Sequence, residues 1–384
     1  MAKSNLAHRA TLLCMLAFFA QPVQFGLWLS RIAEVQADLG LTKAELSLAL
    51  LGMPLGLLPF LYFAGRTVER VGPRRTLIWA LPPMLAAGVL PGFASNATNL
   101  FFSLFLLGTT IATTEVGLNV FAARVEKTYS QSIMNRAHGF WSLGVMMGSL
   151  IGVQLAYFEL PAGYSLLVAA LFLLPLLIAI GLAMPTIKNK KEMAAKSRNL
   201  PPIPPALYLI GMVVFGGTMV EGGMNDWATV YMPESAWGGS SRDGLAVTVF
   251  AGTVTLGRFV GDVLKNRFGA VRLAKLCLGS AFTGILILVF SKDIWTAYAG
   301  FSLVGFGVST IFPLGISASA ELGDIGEARN VSVMTFGALT AFLIGPPMIG
   351  LVAEATSLRV AFIPLLIALA VSLYLAQSLQ TNQS

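Results

Sequence analysis

Twelve apolar runs, each about as long as a bilayer is thick, constrain this chain more than any other feature. They fall at approximately 10–32, 46–65, 76–94, 100–122, 137–158, 162–184, 206–227, 244–263, 275–291, 294–318, 331–352 and 359–377. A helix that crosses the hydrocarbon core needs about 20 apolar residues. Lipid offers the backbone no hydrogen bonds, so runs this long and this uniformly apolar must be helices rather than barrel strands. Only 11% of the residues are charged and 56% are hydrophobic. A soluble domain carries about 25% charged residues, so lipid must be the solvent for most of the chain. The first run is longer than the apolar region of a signal peptide and many spans follow it, so it reads as the first span. The fold class expected is all-α, with twelve transmembrane helices.

Charge sets an orientation. If the N-terminus is cytoplasmic, five of the 25 Lys and Arg residues (Arg31, Lys43, Arg242, Lys292 and Arg359) lie outside and the other 20 inside. That asymmetry places both termini in the cytoplasm, as an even number of spans requires. The net charge of +7 is therefore a topology signal, because its basic residues sit in short loops with no aromatic interleaving suited to nucleic acid. Cys14 and Cys277 lie inside apolar runs and read as small core residues. No metal-binding cluster, phosphate loop or Ser-His-Asp set is visible, so neither an enzyme nor a nucleotide-driven pump is expected, and no cofactor.

The longest polar stretch, 186–205, is Lys-rich, ends in Pro201-Pro-Ile-Pro-Pro205 and divides the chain nearly in half. It reads as a cytoplasmic linker between a six-helix bundle over 1–185 and another over 206–384. The halves repeat at a spacing of 197 residues, which carries Glu69 to Asn266, Arg70 to Arg267, Gly72 to Gly269, Arg75 to Arg272, Gly108 to Gly305 and Gly26 to Gly223. Parallel repeats of six helices are a transporter architecture, with the substrate site where the halves meet.

The segment Gly65-Arg-Thr-Val-Glu69-Arg70-Val-Gly72-Pro-Arg74-Arg75 resembles the loop signature G-x-x-x-D-R-x-G-R-R of the major facilitator superfamily, with Glu69 for Asp and Pro73 for the first closing Arg. A second copy lies at 262–272, so the resemblance spans the chain. Glu115-Val-Gly-Leu-Asn119 resembles a segment of fucose-permease-like members. His138-Gly-Phe-Trp141-Ser-Leu-Gly144, Glu221-Gly-Gly-Met-Asn225-Asp226-Trp227 and Gly345-Pro-Pro-Met-Ile-Gly350 resemble related bacterial inner-membrane members. In the fucose-permease pattern the first helix also carries a coupling carboxylate; Leu29 holds that place here. The resemblance implies a monomeric carrier of the bacterial inner membrane. It also implies that Glu69, Arg70, Arg74 and Arg75 gate the cytoplasmic side, with Arg267 as the repeat of Arg70; Arg258 and Asp262, four residues apart, read as a second gating pair, and plain positive-inside topology is the alternative for these charges.

Several polar residues stand out within the apolar runs. Glu115 lies deep in the fourth, where a lone carboxylate costs roughly 2.5–3.5 kcal/mol, so it faces a cavity or a partner. Asn119 follows one turn later on the same face. Glu115 reads as a proton-coupling site, or else as one end of a structural hydrogen bond. In the seventh run Glu221, Asn225, Asp226 and Trp227 follow two Gly-Gly pairs that permit a bent helix; Glu221 is a second proton-coupling candidate, and all four are substrate candidates. Gln24, Trp28 and Arg31 form one stripe of the first helix. Trp with Gln and Asn suits a sugar, whereas Arg31 suits an anion if it faces the cavity and otherwise snorkels to the interface. Trp141 opens the fifth helix as a further substrate candidate, beside His138, which reads as a helix-end hydrogen-bonding residue. Gly144, Gly148 and Gly152 make a close-packing face.

The function expected is proton-coupled uptake of a small polar solute, a sugar or sugar-like acid. Two alternatives are an efflux antiporter and a non-transporting membrane sensor. Leu104, four residues before Gly108, stands where drug antiporters carry an intramembrane Arg, and Ser149 stands where their Gly-Pro pair places Pro.

Overall fold

The computed structural model describes residues 2–130, 133–187, 203–234, 242–322 and 327–380; most of the expected linker falls outside them. Among these residues there is no strand, and twelve helices are long and apolar enough to span a membrane. They are α1 (Leu6–Asp38), α2 (Lys43–Val71), α3 (Pro73–Phe93), α4 (Ala97–Tyr129), α5 (Arg136–Tyr157), α6 (Ala162–Ala183), α7 (Pro205–Glu234), α8 (Leu245–Phe268), α9 (Ala270–Phe290), α10 (Ile294–Ala320), α11 (Asn330–Ala355) and α12 (Leu358–Leu379).

The helices group into two compact units, Met1–Lys188 with Asp226–Gly252, and Asn189–Asn225 with Thr253–Ser384. The grouping departs from a simple split at the linker in one place: the end of α7 and the start of α8 belong with the first unit. Polar contacts account for that. Thr229 donates to the Leu29 carbonyl at 2.9 Å, Lys43 pairs with Glu234 at 3.1 Å, and Ser149 donates to the Gly244 carbonyl at 3.2 Å.

Small residues let the first unit close up. A Cβ on Gly144, Gly148 or Gly152 of α5 would strike the Phe19 carbonyl, the Val23 carbonyl and the Ser30 hydroxyl of α1. The partner of the glycine ladder is therefore α1, whose Gly26 lies against the Val145 carbonyl in return. In lipid, van der Waals packing of close backbones supplies most of the association, so such a ladder sets the helix pair. At Pro22 α1 breaks, because proline has no N–H to donate and its ring crowds the preceding turn. The break sets Gln21 and Gln24 in the middle of a membrane-spanning helix.

The internal repeat is visible in the backbone. Gly72, between α2 and α3, has φ 87° and ψ 150°, and Gly269, between α8 and α9, has φ 77° and ψ 160°. Each donates to the carbonyl four residues back, Val68 at 2.9 Å and Lys265 at 2.8 Å. This conformation is close to glycine-only, and a side chain there costs about 1–3 kcal/mol. Nothing lies within 4 Å of a Cβ at either position, so the cost is purely that of the backbone. Gly72→Ala and Gly269→Ala should therefore lower the melting temperature of the purified protein by similar amounts. A fall in only one of them would contradict the structural equivalence of the two turns.

Candidate functional site

In the first unit the polar side chains converge around α4. Glu115 lies near the middle of that helix, and its carboxylate accepts from two directions. The Trp141 indole of α5 donates to Oε1 at 3.1 Å. Asn119, one turn along α4, donates to Oε2 at 3.4 Å and to the Glu115 carbonyl at 3.0 Å. All three residues are half-buried. The spacing of Glu115 and Asn119 puts them together, and the packing of α4 near α5 supplies the indole. Both N–H donors are neutral groups, and each holds the carboxylate in place by one of its oxygens.

A second polar cluster adjoins it. Phe25 of α1 stacks obliquely on Trp141, ring centroids 6.3 Å apart. Phe25 also lines a small cavity of about 10 Å³, room for roughly one water, together with Gln21, Gln24, Trp28, Met84 and Gly88. Gln24 donates to the carbonyls of Leu85 on α3 and Leu166 on α6, at 3.1 and 3.2 Å. Gln21, 3% exposed, donates to the Met84 sulfur at 3.3 Å, and its Oε1 has no partner among the described residues. Thr114, next to Glu115, donates to the same sulfur at 3.3 Å. A Cβ at Gly88 would meet the Gln24 amide, so a larger residue there would have to displace that side chain. Gln24 and Trp28 thus stand beside the Glu115 cluster, as does Trp141. Gln21, Phe25, Met84 and Thr114 are additions that the linear sequence did not single out. Gln21 carried a signal, a second amide three residues before Gln24 in an apolar run.

Arg31 is elsewhere. It is 2% exposed, and it donates to the carbonyls of Gly152 at 3.1 Å and Leu160 at 2.6 Å, and to Ser165 at 3.3 Å. It pairs with Glu34 at 2.6 Å, and Glu34 accepts from the Ala162 amide at 2.9 Å. This is a staple from α1 to the end of α5 and the start of α6. The same unit holds Asp226, half-buried, and Trp227, fully buried with its indole N–H unpartnered among the described residues.

The signature segment lies at the exposed end of α2 and the start of α3. Glu69, Arg70 and Arg75 are exposed. Arg74 donates to the Leu182 carbonyl at 2.8 Å; Arg9 and Arg124 donate to those of Ala183 and Ile187 at 3.2 and 3.1 Å. Three guanidiniums therefore satisfy carbonyls at and just beyond the C-terminal end of α6, where the helix dipole favours positive charge.

In the second unit, Glu221 of α7 and Arg258 of α8 form an ion pair at 2.9 Å, with side chains 16% and 11% exposed. Asp262 lies one turn beyond Arg258, Asn225 one turn beyond Glu221, and the Arg267 guanidinium stacks on Phe268, 5.6 Å from the ring centroid. Arg258 thus reaches across to α7, a contact that the four-residue spacing to Asp262 did not announce.

The sequence profile of the Major Facilitator Superfamily matches residues 13–324. The chain belongs to this superfamily. An uncharacterised transporter of Sinorhizobium fredii is 30% identical over 350 residues, covering 90% of this chain and 91% of that protein. Among solved structures, the nucleoside transporter NupG superposes with a TM-score of 0.73 at 13% identity, over 96% of this chain and 99% of NupG. The transporter FucP, in its outward conformation, superposes with a TM-score of 0.67 at 17% identity, over 96% and 98%. This major facilitator is thus a multi-pass membrane transporter of small-molecule solutes that works by alternating access, with the fold expected from its sequence.

Proposed function

We propose that the chain is a proton-coupled uptake transporter for a small polar solute, a sugar or sugar-like acid, in a bacterial inner membrane. The observation that supports this most is the Glu115 cluster. An ionisable group inside a membrane is expensive and is retained where it faces a pathway or a partner. Glu115 has neutral donors on both oxygens, and one of them, Trp141, stacks on Phe25, which lines a cavity with Gln21, Gln24 and Trp28. In this reading Glu115 carries the coupled proton and Glu221 is the second deep acid. Gln24, Trp28, Asn119, Trp141 and Asn225 contribute to the solute site, with Asp226 and Trp227 near it on α7. Arg31, paired with Glu34 and donating to two carbonyls and the Ser165 hydroxyl, leaves the solute set in this reading and holds the helix bundle instead.

The protein acts as a monomer in which a 1–185 bundle rocks against a 206–384 bundle, both termini being cytoplasmic. Glu69, Arg70, Arg75, Asp262 and Arg267 latch the cytoplasmic side. One of the structurally similar proteins, FucP of Escherichia coli, is named a fucose:proton symporter, which accords with a polar solute and a proton.

The test is uptake into proteoliposomes with an acid-outside gradient. Labelled gluconate or glucose should accumulate above its external concentration, and a protonophore should reduce accumulation to equilibration. Accumulation that ignores the gradient, or export alone, would contradict the proposal.

A further inference from the structure

The Glu221–Arg258 pair is the most demanding feature of the second unit. Both residues lie near the middle of their helices, 2.9 Å apart and mostly buried. The helices around them are apolar. Gly217 lies against Ile311 of α10, Gly222 against Phe342 of α11, Gly223 against Ile349 of α11 and Leu365 of α12, and Gly257 and Gly261 against Ser309 and Thr310 of α10. Along α10, α11 and α12 the Asp, Glu, Lys and Arg residues are Glu354 and Arg359, both near helix ends; Tyr298 and Tyr374 are the other titratable groups. Asp262 lies one turn from Arg258 on α8, and Asp226 one turn and a residue from Glu221 on α7. A buried ion pair adds little net stability, because desolvation offsets its attraction. A hydrophobic pair of the same volume would hold α7 to α8 as well. The pair therefore calls for another use.

We infer that Arg258 is the recognition group for a solute carrying a single carboxylate, and that Glu221 is the built-in carboxylate that keeps its place when the solute is absent. The inference rests on the proton-coupled reading above and narrows its substrate class. When Glu221 takes up a proton it becomes neutral and releases Arg258, and the solute carboxylate accepts the guanidinium donors in its stead. The proton resides on the Glu221 carboxyl and the negative charge on the solute. The net charge of the unit is the same before and after, so no bare charge is created in the membrane. A dianion would leave one uncompensated negative charge, and a neutral sugar would bring no anion to take the place of the Glu221 carboxylate. A guanidinium also offers paired donors matched to a carboxylate. Release reverses the exchange: the proton leaves Glu221, whose carboxylate returns to Arg258 and displaces the solute.

The experiment measures ligand-dependent thermal stability of the full-length purified protein. The probes are gluconate and lactate as monocarboxylates, glucose and glycerol as neutral counterparts, and glucarate and malonate as dianions. Three proteins are compared: the parent, Glu221→Gln, and Glu221→Gln with Arg258→Gln, which removes both charges so that neither is left buried alone. A monocarboxylate should stabilise the parent more at acidic than at neutral pH. Glu221→Gln should bind it at neutral pH about tenfold to a hundredfold more tightly than the parent, because the competing charge-assisted hydrogen bond is gone. The double variant should lose the response. Equal binding by Glu221→Gln and parent, or a response that survives in the double variant, would overturn the inference. Stabilisation by glucose alone would overturn it while leaving polar-solute transport standing, and no response to any probe in any of the three proteins would remove both.

Discussion

Arg31→Met should destabilise the protein far more than Arg31→Met combined with Glu34→Met. The single change leaves the Glu34 carboxylate beside α6 without its cation, and it strips donors from the Gly152 and Leu160 carbonyls and from Ser165. Breaking a buried pair from one side costs about 3–5 kcal/mol. Glu34 is 31% exposed, so partial hydration places the loss toward the lower end of that range. The double change removes both charges and fills the space with apolar volume, which lipid-embedded helices tolerate. Melting temperatures of the two variants and the parent decide the matter. If Arg31→Met melts like the parent but loses solute binding, the staple reading is wrong and Arg31 belongs to the solute site.

The fold was legible because lipid leaves few options. Run length, the scarcity of charge and the 197-residue repeat together specified twelve helices in two related halves, and Gly72 and Gly269 adopt nearly the same glycine-only conformation. The candidate site was legible only along single helices. Glu115 and Asn119 share a face by their spacing, and they do interact. What spacing could not show was the partner on another helix. Trp141 reaches Glu115 because α5 packs near α4. Arg258 reaches Glu221 across the α7–α8 contact, although Asp262 is its neighbour in sequence. Arg31 shares a stripe with Gln24 and Trp28, yet its length carries the guanidinium to the α5–α6 connection. Met84 as a double acceptor has no sequence signature at all, since a thioether in an apolar run reads as core. The glycines at 144, 148 and 152 announced a close contact, but only the packed structure names α1 as the neighbour.

The second large effect belongs to Glu115. Glutamine at this position keeps one side-chain oxygen for the Trp141 indole, and Asn119 keeps its 3.0 Å bond to the backbone carbonyl of residue 115 while losing the 3.4 Å one, so Glu115→Gln should fold. It cannot release a proton, and so it stands for the permanently protonated carrier. Binding and downhill exchange need the two halves to move but need no net proton flux, so both should persist. Accumulation against a gradient requires bound protons to leave on the inner side, and in this variant Glu221 is the one deep acid of the two that still can. The measurement is made with one set of proteoliposomes, the parent and Glu115→Gln side by side, using whichever of gluconate or glucose the parent accumulates. Counterflow reports exchange, and an imposed acid-outside gradient reports coupling. The account predicts counterflow near the parental rate in Glu115→Gln with proton-driven accumulation strongly reduced, and abolished when Glu221→Gln is added. Undiminished accumulation in that variant would contradict it, and would make Glu115 a structural hydrogen-bonding residue.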